Sequence, residues 1–203
     1  HAPHPWVPTR YGKQTHLTNP DTSPLIPSNE IQHIQRIVGT FLYYARAVDT
    51  TIHTAVNELA ITQAKPTEKT KHATNMLLDY LATHPNATLR YHRSDMQLHI
   101  DTDAAYLVAP NSKSRVGGYF YLSQAYKTLP TTPTPPLNAP IHIECHLLKH
   151  VVSSAAEAET SGIFLNCKAA IWLRHMLEAL GHPQNIIPLK TDNSTAEAFS
   201  NST

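Results

Sequence analysis

From Asn29 onward, apolar residues recur at helical spacing, at Ile31, Ile34, Ile37, Val38, Phe41 and Leu42, and this periodicity predicts an amphipathic helix. Asn29 with Gln32 is the capping pair expected at its start. Two further helices are predicted, from about Thr51 to Ala64 and from Thr67 to about Thr83, the second stopped by the His-Pro pair at 84 and 85. Residues 28–87 therefore read as a small helical unit. Residues 1–27 carry six prolines and little periodicity, which predicts an extended lead-in.

Beyond residue 87 the period changes. Short strand-like runs follow at "TLRYHR" (88–93), "MQLHIDT" (96–102), "GGYFYLS" (117–123) and "PIHIECH" (140–146). The last two are joined by "TLPTTPTPPLNAP", a proline-rich connection that cannot pair as a central strand and reads as a surface loop. A long helix is predicted from about Ala155 to Leu180 with Gly181 as its stop, then a strand in "NIIPLKTD" and a helix starting at Ser194. Residues 88–203 thus predict a mixed α/β sheet with flanking helices.

Composition narrows the function classes. With 203 residues and 41% apolar content the chain can bury a real core, and a net charge of +1 gives no global field for a polyanion, so any nucleic-acid site has to be a local patch. The 14 histidines add positive charge only in acid. Cys145 and Cys167 are too few for a disulfide framework and fit a reducing, intracellular compartment. No apolar run has the length of a membrane span and the opening "HAPHPWVPTR" lacks a signal core. A start without Met and an end at "FSNST" predict a piece of a longer protein.

Candidate chemistry lies where carboxylates stand at element ends. These are Asp101 and Asp103 at the end of a strand, Glu157 or Glu159 in the first turns of the long helix, and Asp192 at the end of "IIPLKTD". Sites in α/β sheets form at strand ends, so the three places can converge although 56 and 33 residues separate Asp103, Glu159 and Asp192. Converged, they would hold a hard divalent cation through oxygen ligands; unconverged, they are ordinary turn and capping residues. Strand alternation puts Asp101 and Asp103 on one face, so pattern alone leaves that pair open.

The segments "IQRIVGTFLYYARAVD", "DYLATHP", "DTDAAYL", "SKSRVGGYFYLS", "VVSSAAEAET" and "LKTDNSTAEAF" resemble, in order, the C-terminal part of a copia-type retrotransposon polyprotein. The resemblance spans about Arg10 to Ser200 and implies a reverse-transcriptase thumb and connecting region followed by a ribonuclease H-like sheet domain. It also implies hydrolysis of the RNA strand of RNA/DNA hybrids with Mg²⁺ or Mn²⁺, two ions in the intact parent, and template-primer duplex and the rest of the polyprotein as partners. The family's "SDA", "SSTEAEY" and "DNQSA" motifs match "TDAAY", "SAAEAET" and "DNSTA", which points to Asp103, Glu159 and Asp192 as catalytic metal ligands. Helix geometry agrees on the second: Glu159 shares a face with Ile163, Ala170 and Leu177, whereas Glu157 aligns with Ser161, Lys168 and Trp172 and reads as a solvated helix-start charge. The family also uses a fourth carboxylate on a later segment, and this chain ends 11 residues after Asp192. Unless another residue substitutes, the second ion is poorly held, and the competing expectation is an inactive retroelement-derived fragment that binds nucleic acid or is structural.

Lys113 and Arg115 before the Gly-Gly strand are candidate phosphate contacts, and the thumb resemblance adds Arg36, Arg46, Lys69, Lys71 and His72. Tyr43 and Tyr44 continue an apolar helix face and read as packing. "HIECHLLKH" offers His142, Cys145, His146 and His150 as zinc-type ligands, but a strand there turns Cys145 away from His142 and His146, and ordinary strand residues are the expectation.

Overall fold

The computed structural model describes residues 2–5, 21–125 and 136–201. The chain divides into two compact units, His1–Leu89 and Arg90–Thr203. In the first, three helices, α1 (Ser28–Ala47), α2 (His53–Thr62) and α3 (Glu68–Thr83), enclose a core of Ile34, Val38, Ala45, Ile52, Val56, Leu59 and Leu77. The spacing of these residues is the reason the helices form: each puts one apolar stripe inward, and burying the stripe holds helices that would be marginal alone.

The helix starts differ from the expected chemistry in one case. The α1 N-cap is Pro27, with no side-chain cap, so the pairing expected of Asn29 and Gln32 is not made. Pro27 presets the backbone at φ −61° and Glu30 N–H closes the first turn onto its carbonyl at 3.0 Å, which leaves no need for a side chain. At α3 Thr67 and Thr70 cap reciprocally, each hydroxyl accepting the other's N–H at 3.2 Å. The end of the lead-in docks here rather than trailing free. Leu25 bridges Thr67, Ile26 is buried, and the Thr67 hydroxyl donates to Asp21 at 2.6 Å. Hydrogen bonds from Ser23 and Thr67 draw the Asp21 carboxyl down to about 2. Residues 6–20 of the lead-in, and 126–135 of the proline-rich connection, lie outside the described residues.

The second unit is mixed α/β. Strands β1 (Gln97–Ala109), β2 (Lys113–Ser123), β3 (Pro140–Leu147) and β4 (Leu189–Lys190) form one sheet in the order β3-β2-β1-β4, antiparallel except for the parallel pair β1/β4. Helix α4 (Ala155–Ala179) packs on one face, and α5 (Ser194–Asn201) follows β4 beside it. The core lies between α4 and the sheet: Leu98, Ile100 and Phe120 meet Ala170 and Leu177, and Val116 meets Leu148, Val152 and Ala158. Gly181 ends α4 at φ +88°, a conformation that favours a residue without Cβ, while His182 N–H reaches back to the Leu177 carbonyl at 2.9 Å.

Two predicted strands are corrected. Residues 88–93 form no strand, because their hydrogen bonds go to a side chain: Asn138 accepts the His92 N–H at 2.8 Å and donates to the His92 carbonyl at 2.9 Å. In "NIIPLKTD" only Leu189 and Lys190 pair, opposite Ile100 and Asp101, and Pro188 ahead of them has no N–H to give to a ladder. In turn β1 is longer than predicted, continuing past Asp103 to pair with β2 and slipping register between Ala105 and Ala109, where Leu107 has φ 53°. A buried glutamine serves as a strand substitute at the other end of β1. Gln184 accepts the Leu98 N–H at 2.9 Å and donates to the Met96 carbonyl at 2.8 Å. Among the described residues no helix is long and apolar enough to cross a membrane.

Candidate metal centre

Strand register brings two of the carboxylates together. Parallel pairing sets Lys190 beside Asp101, so two residues further on Asp192 comes level with Asp103 on the neighbouring strand. The third arrives from the helix. Ser154 caps α4, accepting the Glu157 N–H at 3.1 Å, and Glu159 follows just over a turn later on the face turned to the sheet. Asp103, Glu159 and Asp192 thus offer ligand oxygens that all lie within 4.8 Å of one another, with Asp103 and Asp192 exposed and Glu159 only 4% exposed. This trio could hold a metal ion.

Glu159 is held on both oxygens. The Ala104 N–H donates to Oε1 at 3.0 Å, and the Thr191 hydroxyl approaches Oε2 at 3.4 Å while accepting the Asn193 N–H at 3.3 Å. Burial pushes the Glu159 carboxyl above the usual range, the charges of Asp103 and Asp192 push it further, and the hydrogen bonds from Ala104 and Thr191 pull it back. Such a cluster is electrostatically strained at neutral pH, and a cation between the oxygens removes the strain. The donor set is all carboxylate oxygen, which fits a hard divalent ion and not a thiophilic one.

The two open choices of the sequence resolve here. Asp101 stands apart from the trio, its charge acting on His99 and Tyr119, and the buried His99 ring stacks on Tyr121 at 5.4 Å. Glu157 is exposed and caps its own helix, accepting the Ser153 N–H and hydroxyl, both at 2.7 Å, and those bonds hold its carboxyl below the usual range. No protein-family model, curated protein or solved structure matches this chain.

The remaining sequence candidates scatter. Lys113 and Arg115 are half-buried on β2, opposite Ala109 and Ala105, and Arg115 Nη1 donates to Cys145 Sγ at 3.5 Å. Arg36, Arg46, Lys69 and His72 are exposed on α1 and α3, whereas the Lys71 ammonium pairs with Glu30 at 2.7 Å. Tyr44 packs edge-on against Phe41 with centroids 6.2 Å apart, but Tyr43, one step of the helix round, is 77% exposed and does not pack. Sequence reasoning missed Thr191 and the Ala104 N–H, and neither gave a signal in the pattern of residue types.

His142, Cys145, His146 and His150 do not assemble a metal cluster among the described residues. Instead Glu144 sits between His142, at 2.8 Å, and His146, at 3.4 Å, on one side of β3. Hydrogen bonds from the two imidazoles hold its carboxyl far below the usual range. A depressed carboxylate contributes stability that is fully present above its unfolded value and is lost as pH falls through the folded value. Glu144→Gln is therefore expected to lower Tm at pH 6, and the gap to wild type should shrink as pH falls below about 4.3, the ordinary Glu range. Thermal melts of both chains across that range check this; a gap independent of pH would refute it.

Proposed function

We propose that the unit Arg90–Thr203 is a ribonuclease H-type endonuclease domain and that the chain is the thumb and ribonuclease H part of a copia-type retrotransposon reverse transcriptase. The observation that carries this reading is the meeting of Asp103, Glu159 and Asp192 from three separate elements. The motif order from "IQRIVGTFLYYARAVD" to "LKTDNSTAEAF" supports it. Asp103, Glu159 and Asp192 would hold Mg²⁺ or Mn²⁺. When bound, such an ion lowers the pKa of an attacking water and offsets charge on the leaving 3′ oxygen of a phosphodiester.

The residues of the chain supply position and access. Ala104 and Thr191 fix Glu159 so that its charge stays at the cluster, and the exposed Asp103 and Asp192 stand where a nucleic-acid backbone can reach them. Lys113 and Arg115 on β2, and Arg36, Arg46 and Lys69 on the helical unit, suit phosphate contacts through charge, without base readout. The substrate is an RNA/DNA hybrid, distinguished by its A-like shape and its 2′-hydroxyls.

The test is cleavage of an end-labelled RNA/DNA hybrid in Mg²⁺ and in Mn²⁺, with Asp103→Asn and Asp192→Asn alongside. RNA-strand cleavage is expected from the parent chain and a loss of at least about a hundredfold, or about 2.7 kcal/mol, from each variant. Cleavage that survives both substitutions would sink the assignment. A second reading, an inactive retroelement-derived module that binds nucleic acid, is favoured by one observation: among the described residues three carboxylates meet, and the family that the chain resembles uses four. Hybrid binding without cleavage in either metal decides for that module.

A further inference from the structure

We propose that Asn166 is a positioning residue of the carboxylate site, a polar pin that fixes the rotation and axial setting of α4 on the sheet so that Glu159 meets Asp103 and Asp192; the inference rests on the metal-site reading above. Asn166 is fully buried in the middle of α4. Its Nδ2 donates to Thr102 Oγ1 at 2.7 Å and to the Gly117 carbonyl at 2.9 Å. Since a carbonyl only accepts, the amide orientation is fixed. Thr102 is the neighbour of Asp103 along β1, and Gly117 is paired with Asp103 across β2. Both anchors of the pin are therefore adjacent to the first ligand.

The other amide atom explains why this contact sets position and is not simply a satisfied core asparagine. Asn166 Oδ1 is buried with no hydrogen-bond partner. It lies over Gly118, where an added Cβ would collide with it and would stand 2.8 Å from Asn166 Cγ. A buried carbonyl oxygen without a partner is destabilising, so a core built for stability alone would favour an apolar residue here. Gly162, one turn before Asn166, repeats the close approach: a Cβ there would sit 3.3 Å from Thr102 Oγ1. Glu159 precedes Asn166 by two turns on the same face, so a slip of one residue at the pin, about 100° of rotation, would carry its carboxylate away from Asp103. The unpartnered oxygen is the cost of an anchor that only one helix setting can satisfy.

The experiment measures Mn²⁺ affinity of the full chain by calorimetry, well below Tm, for wild type, Asn166→Ser and Gly118→Ala, with circular dichroism to establish folding. Wild type is expected to bind, and each folded variant to bind about tenfold more weakly, the lower end of what loss of an outer supporting contact costs a metal site. Gly118→Ala tests the pin while leaving Asn166 itself unsubstituted. Combining it with Asn166→Ser, which clears the space, should give a smaller loss than the sum of the two. Wild-type affinity in either folded variant overturns the inference, as does failure of both to fold, since Asn166 would then be a requirement of the core. A wild-type chain that binds no Mn²⁺ fails at an earlier step: it overturns the metal-site reading and the inference falls with it.

Discussion

Replacing Glu159 by Gln is expected to raise the Tm of the metal-free chain at pH 7 and, under the proposed ribonuclease H function, to lower metal-dependent RNA cleavage sharply in the same protein. The two effects share one cause. Glu159 is buried beside two other carboxylates, and its carboxyl is pushed up by burial first and by Asp103 and Asp192 next. A carboxyl whose folded pKa lies above its unfolded one contributes stability at low pH that is lost as pH rises through the folded value. Wild type should therefore lose ground to the Glu159→Gln variant between about pH 4.3, where an unfolded Glu titrates, and neutrality. A gain of about 3 °C at pH 7 corresponds to about 1 kcal/mol in a chain of this length. Metal reverses the order. A ligand present at a hundred times its Kd adds about 2.7 kcal/mol to a chain that binds it, and the Glu159→Gln change leaves the site one anionic oxygen donor short. Cleavage should fall by at least about a hundredfold, since several kcal/mol of charge stabilisation depend on the ion. Melts with and without Mg²⁺, run beside the hybrid assay, check both halves; a variant as active as wild type, with the same metal-induced rise in Tm, would refute the role.

The site was legible to different depths for physical reasons. Residue type and the run of periodicity, which are local properties, marked Asp101 or Asp103, Glu157 or Glu159, and Asp192, although Asp103 lies inside β1 and not at its end. Choosing Asp103 over Asp101 was not local. Alternation gives both the same face, and the choice depends on how far β4 advances along β1, which Leu189 opposite Ile100 sets. The supports of Glu159 were hidden further: one is a backbone N–H, invisible in any side-chain pattern, and the other a threonine hydroxyl brought 32 residues back in sequence. The start of α3 and the end of α4 followed from Thr67 and Gly181, and the structure adds Ser154 as the cap at the start of α4. The run 88–93 misled because β-branched and aromatic residues predict a strand, and the His92 backbone is instead bonded by Asn138, a residue 46 positions away that no local window contains. The buried Gln184 misled no one and helped no one, since a glutamine that completes the end of a strand looks like any surface glutamine in sequence.

The site also depends on a core that can be tested apart from chemistry, and Phe120→Ala is expected to be the most destabilising single truncation in the sheet unit. Phe120 lies on β2, the strand between β1 and β3, with its ring fully buried against Leu98, Ile100, Ala170 and Leu177 and its edge against His142 at 5.2 Å. Removing it deletes transfer energy and leaves a cavity that a helix clamped to β1 and β2 cannot collapse, a loss of about 3–5 kcal/mol. The clamp is specific: Asn166 ties α4 to Thr102 on β1 and to Gly117 on β2, so the helix cannot sink into the gap without breaking those bonds. In urea, with a slope of about 2 kcal/mol/M, the midpoint should drop by roughly 2 M. Phe164, on the same helix face as Lys168 and 63% exposed, provides the contrast: its truncation should cost under about 0.5 kcal/mol, because water already covers the ring. Denaturant titration of the two variants separates the packing account from simple loss of an aromatic. Equal shifts for Phe120→Ala and Phe164→Ala would mean that α4 is not held against the sheet in the way the buried contacts describe, and would leave Glu159 without the rigid mount its position beside Asp103 and Asp192 requires.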